Sequence, residues 1–410
     1  MSPDAAPRNG RALAWDALVA AVLALAAVLL LSMLARQLPP ELFVRDSGLD
    51  AWFQSDTPRV LANMVDAQSN HYRTKVHPIA SIVIHPMVAG LRALWAGSDL
   101  QAAMRFAYLV SALWVLSFYA LCRLLDNGRF VAISFTLLAI GSAAFQFWFS
   151  VPETYALGSL TLLWALLVAA LAVHRSVSDR LLLAVSIASL AITVTNWVAG
   201  LALAVVQRPW RRALAISAAA FAIVAVVAVA QRFLYRFAKL FFLGSREEAD
   251  YMNLERAGTV LNKLAAMFWH PLSLPEVLSV ASVPPRLNWL TVQLSTPASG
   301  GWAGGSALAL WSLLLAAGVV GLLRTPRWRR FAAVLGLTLA AQVVLHLVYG
   351  DETFLYAAHF LPLLMAVAVF ATRALPPTLA AAMALLAAGL AAFHNAAMYE
   401  TATHLLQHAR

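Results

Sequence analysis

Ten stretches of this chain, each of roughly 20 residues, contain no Asp, Glu, Lys or Arg. They lie at 17–35, 106–122, 130–152, 154–173, 181–207, 213–231, 297–323, 331–350, 353–372 and 374–399. About 20 apolar residues in a helix cross the hydrocarbon core of a bilayer. Composition agrees, with 62% hydrophobic and 12% charged residues, half the ~25% charged content of soluble domains. The chain is therefore predicted to be an all-α, polytopic membrane helix bundle, one integral membrane domain over 1–410. The first run exceeds the ~7–15 residue core of a signal peptide and no small-x-small site follows it, so it reads as a retained helix. The single cysteine, Cys122, excludes an internal disulfide.

The run at 181–207 is long for one helix and short for two. Its middle, Thr193-Val194-Thr195-Asn196-Trp197-Val198-Ala199-Gly200, can turn. Charge placement decides, because cytoplasmic connections collect Lys and Arg. A hairpin of two short helices gives about 11 transmembrane helices. It puts the N-terminus, the connections 123–129, 174–180, 208–212 and 324–330, and Arg373 on the cytoplasmic side. That side then carries 14 of the 29 Lys+Arg and 4 of the 19 Asp+Glu, leaving 15 of each outside. The net charge of +10 is thus a topology signal, and nucleic acid is not an expected partner.

Two long segments face outward, 37–104 and 233–296, and loops of that length in a compact protein tend to be functional. The first is predicted to hold helices at 57–70 and 78–96 that lie at the interface rather than span. Pro58 suits a first turn, with Asp56 or Thr57 as the cap. The second segment holds an amphipathic stretch at 254–268.

The residues able to do chemistry cluster on this outer side. Asp56 either caps a helix or acts as a general base at the membrane surface. Glu153, alone in a short turn between two apolar runs, either marks a helix end that reaches water or faces a functional cleft. Arg59, Arg73, Lys75 and His77 lie in or near a basic run that suits lipid headgroups or a phosphate, onto which Arg forks and Lys adds a point charge. His71, His77 and His85 have no familiar metal spacing. Asp351 and Glu352 are solvated turn residues or cleft lining. His359 is a satisfied bundle histidine or cleft lining, and the neighbouring aromatics read as interfacial belt. No phosphate-binding glycine loop, Asp-x-Asp motif or large cytoplasmic domain is present. Any chemistry must therefore draw on a substrate already at the outer face.

The order of these features resembles the GT-C superfamily of membrane glycosyltransferases, including protein O-mannosyltransferases and lipid A aminoarabinose transferases. Asp56 falls at that family's first-loop acid and Glu153 at its second. His77-Pro78-Ile79-Ala80-Ser81 looks like its His/Lys-Pro-Pro-Leu run, with Ile79 in place of the second proline. Arg105 resembles the arginine that opens the second span, and Asn196 stands where many relatives have lysine. The likeness covers roughly 45–207. It implies transfer of a sugar, with inversion, from a polyprenyl-phosphate donor to a hydroxyl acceptor. Asp56 would be the base. Arg59, Arg73, Lys75, His77 and Arg105 would hold the donor phosphate. Glu153 would orient the acceptor or help bind a divalent metal ion, and Asp351, Glu352 and His359 would line the cleft. The expected partners are the lipid-linked sugar and membrane lipids, and the expected place is a bacterial inner membrane with the site on its outer side. The rival readings are a transporter or flippase of lipid-linked intermediates, which favours ionisable groups deep within spans, and a non-catalytic assembly subunit.

Overall fold

The structure, a computed structural model, describes residues 10–243, 246–252 and 255–407. It is an all-helical bundle with one small strand pair. In chain order the helices are α1 (Gly10–Ala35), α2 (Arg45–Gly48), α3 (Thr57–Val65), α4 (Ala80–Leu94), α5 (Asp99–Leu124), α6 (Arg129–Gly141), α7 (Ala143–Trp148) and α8 (Thr154–His174). They continue with α9 (Asp179–Ile192), α10 (Trp197–Gln207), α11 (Trp210–Leu234), α12 (Val260–Phe268), α13 (Trp302–Arg324), α14 (Arg329–Val348), α15 (Ala357–Val369) and α16 (Pro377–Gln407). Among the described residues eight helical segments are long and apolar enough to cross a membrane, and the chain is an integral multi-pass membrane protein by that criterion.

The packing inverts the soluble pattern. On α1 the buried face mixes Ala20, Ala24 and Ala27 with Leu23, Leu31 and Leu34, while Leu18, Val22, Leu25 and Leu29 are exposed. On α16 Ala380, Ala381, Ala384, Ala387 and Ala391 are buried and Leu379, Leu386 and Phe393 exposed. Small residues inside let helices approach closely, and large apolar ones outside suit lipid. α15 is apolar all round and buried at every position, which places it at the bundle centre. α13 crosses it with backbone almost touching backbone. A Cβ on Gly318 would stand 2.1 Å from the Val367 carbonyl oxygen, and one on Gly321 2.0 Å from that of Phe370.

Two expected helices take a different form, and the run at 181–207 takes the expected one. The run at 130–152 is broken at Ser142, whose hydroxyl accepts from the Phe145 N–H and starts α7. The Gly141 carbonyl freed by the break accepts from Gln146 Nε2 at 3.1 Å and Asn395 Nδ2 at 2.9 Å. The run at 181–207 is two short helices, α9 and α10, joined at Thr193–Asn196 and packed on each other. The amphipathic stretch expected at 254–268 is helical only as α12, and Leu254 lies outside the described residues. The short antiparallel pair β1 (Leu278–Val280) and β2 (Trp289–Thr291), with Leu278 opposite Thr291, was not legible in the sequence. It braces the first outer segment, where Leu287 N–H donates to Ser47 O at 2.8 Å and Leu290 N–H to Ala51 O at 2.9 Å.

Candidate active site

The two long segments, 37–104 and 233–296, fold onto each other. His71 N–H donates to Arg236 O, Arg236 N–H to Ala67 O, and Thr74 exchanges hydrogen bonds with the Lys239 backbone. The stretch before Asp56 is forced into shape. Asp50, Phe53 and Gln54 have positive φ of 63°, 48° and 59°, a region that side chains other than glycine seldom occupy. Packing holds them there. Trp52 Nε1 donates to Phe147 O at 3.2 Å, and the Phe53 ring sits 5.2 Å from Phe354 and 5.7 Å from Phe147. The aromatics expected at the membrane interface are thus partly internal. Phe354 is fully buried and anchors the loop that carries Asp56.

Asp56 occupies the position before α3, but its side chain makes no capping bond. Its carboxylate pairs with Arg59 and lies 3.9 Å from Arg73 Nε, so the capping role is replaced by an ionic one. Arg59 also donates to Tyr72 OH and lies over the Tyr72 ring. Arg73 Nη1 and Lys75 Nζ meet Glu248 at 3.3 and 3.0 Å, and Tyr349 OH donates to the same carboxylate. Burial opposes charge on Glu248, but Tyr349, Arg73 and Lys75 together hold its carboxyl below the usual range.

Glu153 does not reach water. It is 4% exposed, accepts from Thr154 N–H at 3.1 Å and faces Thr57 Oγ1 at 3.5 Å. Burial raises its pKa to about 7 against the pull of the Thr154 amide, Arg59 and Arg73. Asp351 and Glu352 are likewise buried rather than solvated. Asp351 pairs with Arg256. Glu352 accepts from Thr291 Oγ1 at 2.5 Å and Val292 N–H at 3.3 Å, and burial raises it to about 8. His359 is not a satisfied histidine. It is 2% exposed and neither ring nitrogen has a hydrogen-bond partner among the described residues.

Three adjoining cavities meet at Arg73 and Tyr155, which line all of them. The first, about 530 Å³, is bordered by Asp56, Arg59, His77 and Glu153. The second, about 920 Å³, is mostly apolar, with Lys75, Val194, Phe241, Tyr356 and three histidines in its wall. The third, about 570 Å³, is polar and bordered by Asp50, Asp56, Asp351 and Glu352.

Sequence reading missed Tyr155 and His346, which carry no motif, and took Tyr349 and Tyr356 as interfacial belt although they line these cavities. Arg105 does not join the group. Its guanidinium closes the α4–α5 turn, donating to Trp95 O at 2.6 Å. His71 and His85 are engaged elsewhere, with Ser81 Oγ at 2.7 Å and Tyr235 OH at 3.3 Å. Among the described residues no three His, Cys, Asp or Glu side chains gather as metal ligands. Compared with known proteins, the chain matches no family model, no curated protein and no solved structure.

Proposed function

We propose that the protein is a membrane glycosyltransferase of the GT-C kind, acting at the outer face of a bacterial inner membrane. One observation carries the reading. Arg73, a fixed cation, sits where an apolar-walled cavity, a carboxylate-lined cavity and the Asp56 cavity meet. A lipid-linked sugar phosphate and a hydroxyl acceptor need that combination: an apolar wall, a cation for the phosphate, and an acceptor space beside a base.

In the proposed reaction the acceptor hydroxyl stands in the polar cavity and gives its proton to Asp56. Its oxygen bonds to the anomeric carbon as the bond from that carbon to the phosphate oxygen breaks. The electron pair leaves with the polyprenyl phosphate, and Arg73 and Lys75 stabilise the charge. Arg59 pairs with Asp56 and aims its carboxylate. Glu153, buried behind them, is a positioning residue. No step is routed through a metal ion.

In the same reading α6, α9 and α10 join the eight long segments to make eleven spans. They have 13, 14 and 11 residues, about 16–21 Å at ~1.5 Å per residue. They are short for a bilayer and are sheltered by neighbouring helices. The test is mass spectrometry of surface glycans and glycolipids from a deletion strain. Loss of one sugar from one acceptor, restored by the wild-type chain but not by Arg73→Ala, is the expected result. A glycan profile identical to the parent strain's overturns the proposal.

A further inference from the structure

The apolar-walled cavity is lined by two unlike sets of polar groups. Arg73, Lys75 and Glu248 are charged, and His77, half-buried, joins the buried His346 and His359 as a set of imidazoles. These histidines come from the first outer segment, α14 and α15, so only the folded chain brings them together.

His77 was expected to contact phosphate, and its hydrogen bonding argues otherwise. Its Nδ1 lies 2.8 Å from the Ile192 carbonyl oxygen. A carbonyl only accepts, so Nδ1 carries the hydrogen and, in the neutral ring, Nε2 holds a lone pair. Burial and the neighbouring Arg73 keep the ring neutral, with the pKa down to about 4. A lone pair repels an anion and accepts from an O–H. His359, buried with both nitrogens unpartnered, asks for a hydrogen-bonding group from outside the chain, because a buried polar atom left unpaired costs free energy. Gly158 leaves room for the His359 ring, since a Cβ there would lie 2.6 Å from His359 Nε2 and 3.1 Å from Asn196 Nδ2. A polyprenyl chain alone would leave these imidazoles unsatisfied, and a phosphate would face the wrong partner in His77.

We infer that the histidine-lined part of this cavity recognises an uncharged, polyhydroxylated group, His77 accepting from one hydroxyl and His359 bonding another, while Arg73 and Lys75 hold the anionic group of the same ligand. Only the naming of that anionic group as a lipid phosphate rests on the proposed glycosyl transfer. The donor sugar then lies among the histidines, which discriminate a neutral sugar from an acidic one.

The test is binding to the purified full chain in nanodiscs, using undecaprenyl phosphate and undecaprenyl phosphate bearing glucose, mannose or arabinose as probes. Wild type should bind at least one sugar-bearing probe about tenfold tighter than the bare lipid. His359→Phe and His77→Phe should each bring that preference close to unity and leave bare-lipid affinity unchanged. His359→Asn, which keeps a hydrogen-bonding group, should restore part of it. Arg73→Ala should weaken every probe alike and keep the preference. A preference that survives both Phe variants overturns the inference, as does an equal loss for bare and sugar-bearing lipid. If the wild type binds none of these lipids, the polyprenyl-phosphate donor falls. The hydroxyl site then rests on methyl glycosides of the same sugars. Displaced imidazole signals of His77 and His359 in NMR support it, and unmoved signals overturn it.

Discussion

Burial sets the protonation of Glu153 and Glu352 before any ligand arrives. Their pKa values of about 7 and about 8 lie well above the ordinary carboxyl range, because a carboxylate sealed from water loses hydration that one or two hydrogen bonds only partly replace. The consequence for stability has a definite sign. A folded-state pKa raised above the unfolded value contributes stability that is full below the ordinary carboxyl pKa. That contribution is lost as pH rises through the folded value. The thermal midpoint should therefore fall from about pH 4.5 to about pH 8. Glu352→Gln keeps a neutral acceptor for Thr291 and Val292, so its midpoint should fall less over that window and exceed wild type at the alkaline end. Parallel curves for the two proteins, measured by thermal unfolding in detergent, would contradict this. Asp56 stood out in the sequence because it precedes a helix start in a long loop, and Glu153 because it is the only charge between two apolar runs. Burial of Glu153 and Glu352 was not legible, because it depends on Thr57, Thr291 and Phe354 arriving from elsewhere.

At the scale of elements, the site is assembled by short, irregular pieces rather than by the long spans. The α9–α10 turn supplies Thr193–Thr195 to the wall of the large cavity, and Val194 N–H donates to Val76 O at 3.1 Å, tying the turn to the basic run. A 3₁₀ segment, Arg246–Tyr251, contributes Glu248 to the same wall. From it Glu248 fills the place between Arg73 and Lys75 that the proposed phosphate would take. Donor binding then displaces an internal carboxylate, and Glu248→Gln should lower the donor concentration for half-maximal turnover about tenfold, the scale of one charge-assisted hydrogen bond. A raised donor requirement in that variant would mean that Glu248 organises the cations instead. The hairpin at 181–207 was readable because Thr193–Gly200 breaks an otherwise apolar run. The break at Ser142 was not, since Gln146 and Asn395 satisfy the freed Gly141 carbonyl from positions no local pattern connects. The strand pair is too short for alternation to register.

Across the whole molecule the chemistry is one-sided. The cavities, the buried acids and the histidines gather beside the two long outer segments. Paired charges such as Asp16 with Arg123 and Arg129, and Asp179 with Arg208, lie by the connections assigned to the cytoplasm. Reporter fusions after Arg212 and Arg330 should report cytoplasm, and fusions near Glu255 and Glu352 the outer side. A cytoplasmic signal at Glu255 would reverse the second outer segment and separate it from Asp56.

Turnover tests the central claim most directly. Purified protein in nanodiscs, given a lipid-linked sugar pool and an acceptor extract, should consume lipid-linked sugar and release polyprenyl phosphate. Asp56→Asn makes the measurement specific, because that side chain bonds no α3 amide and the change removes the base without removing a cap. Its turnover should fall ~10²–10⁴-fold, the usual contribution of general base catalysis, while the thermal midpoint stays close to wild type. Donor left intact by the wild-type protein, or transfer by Asp56→Asn at the wild-type rate, would contradict the account.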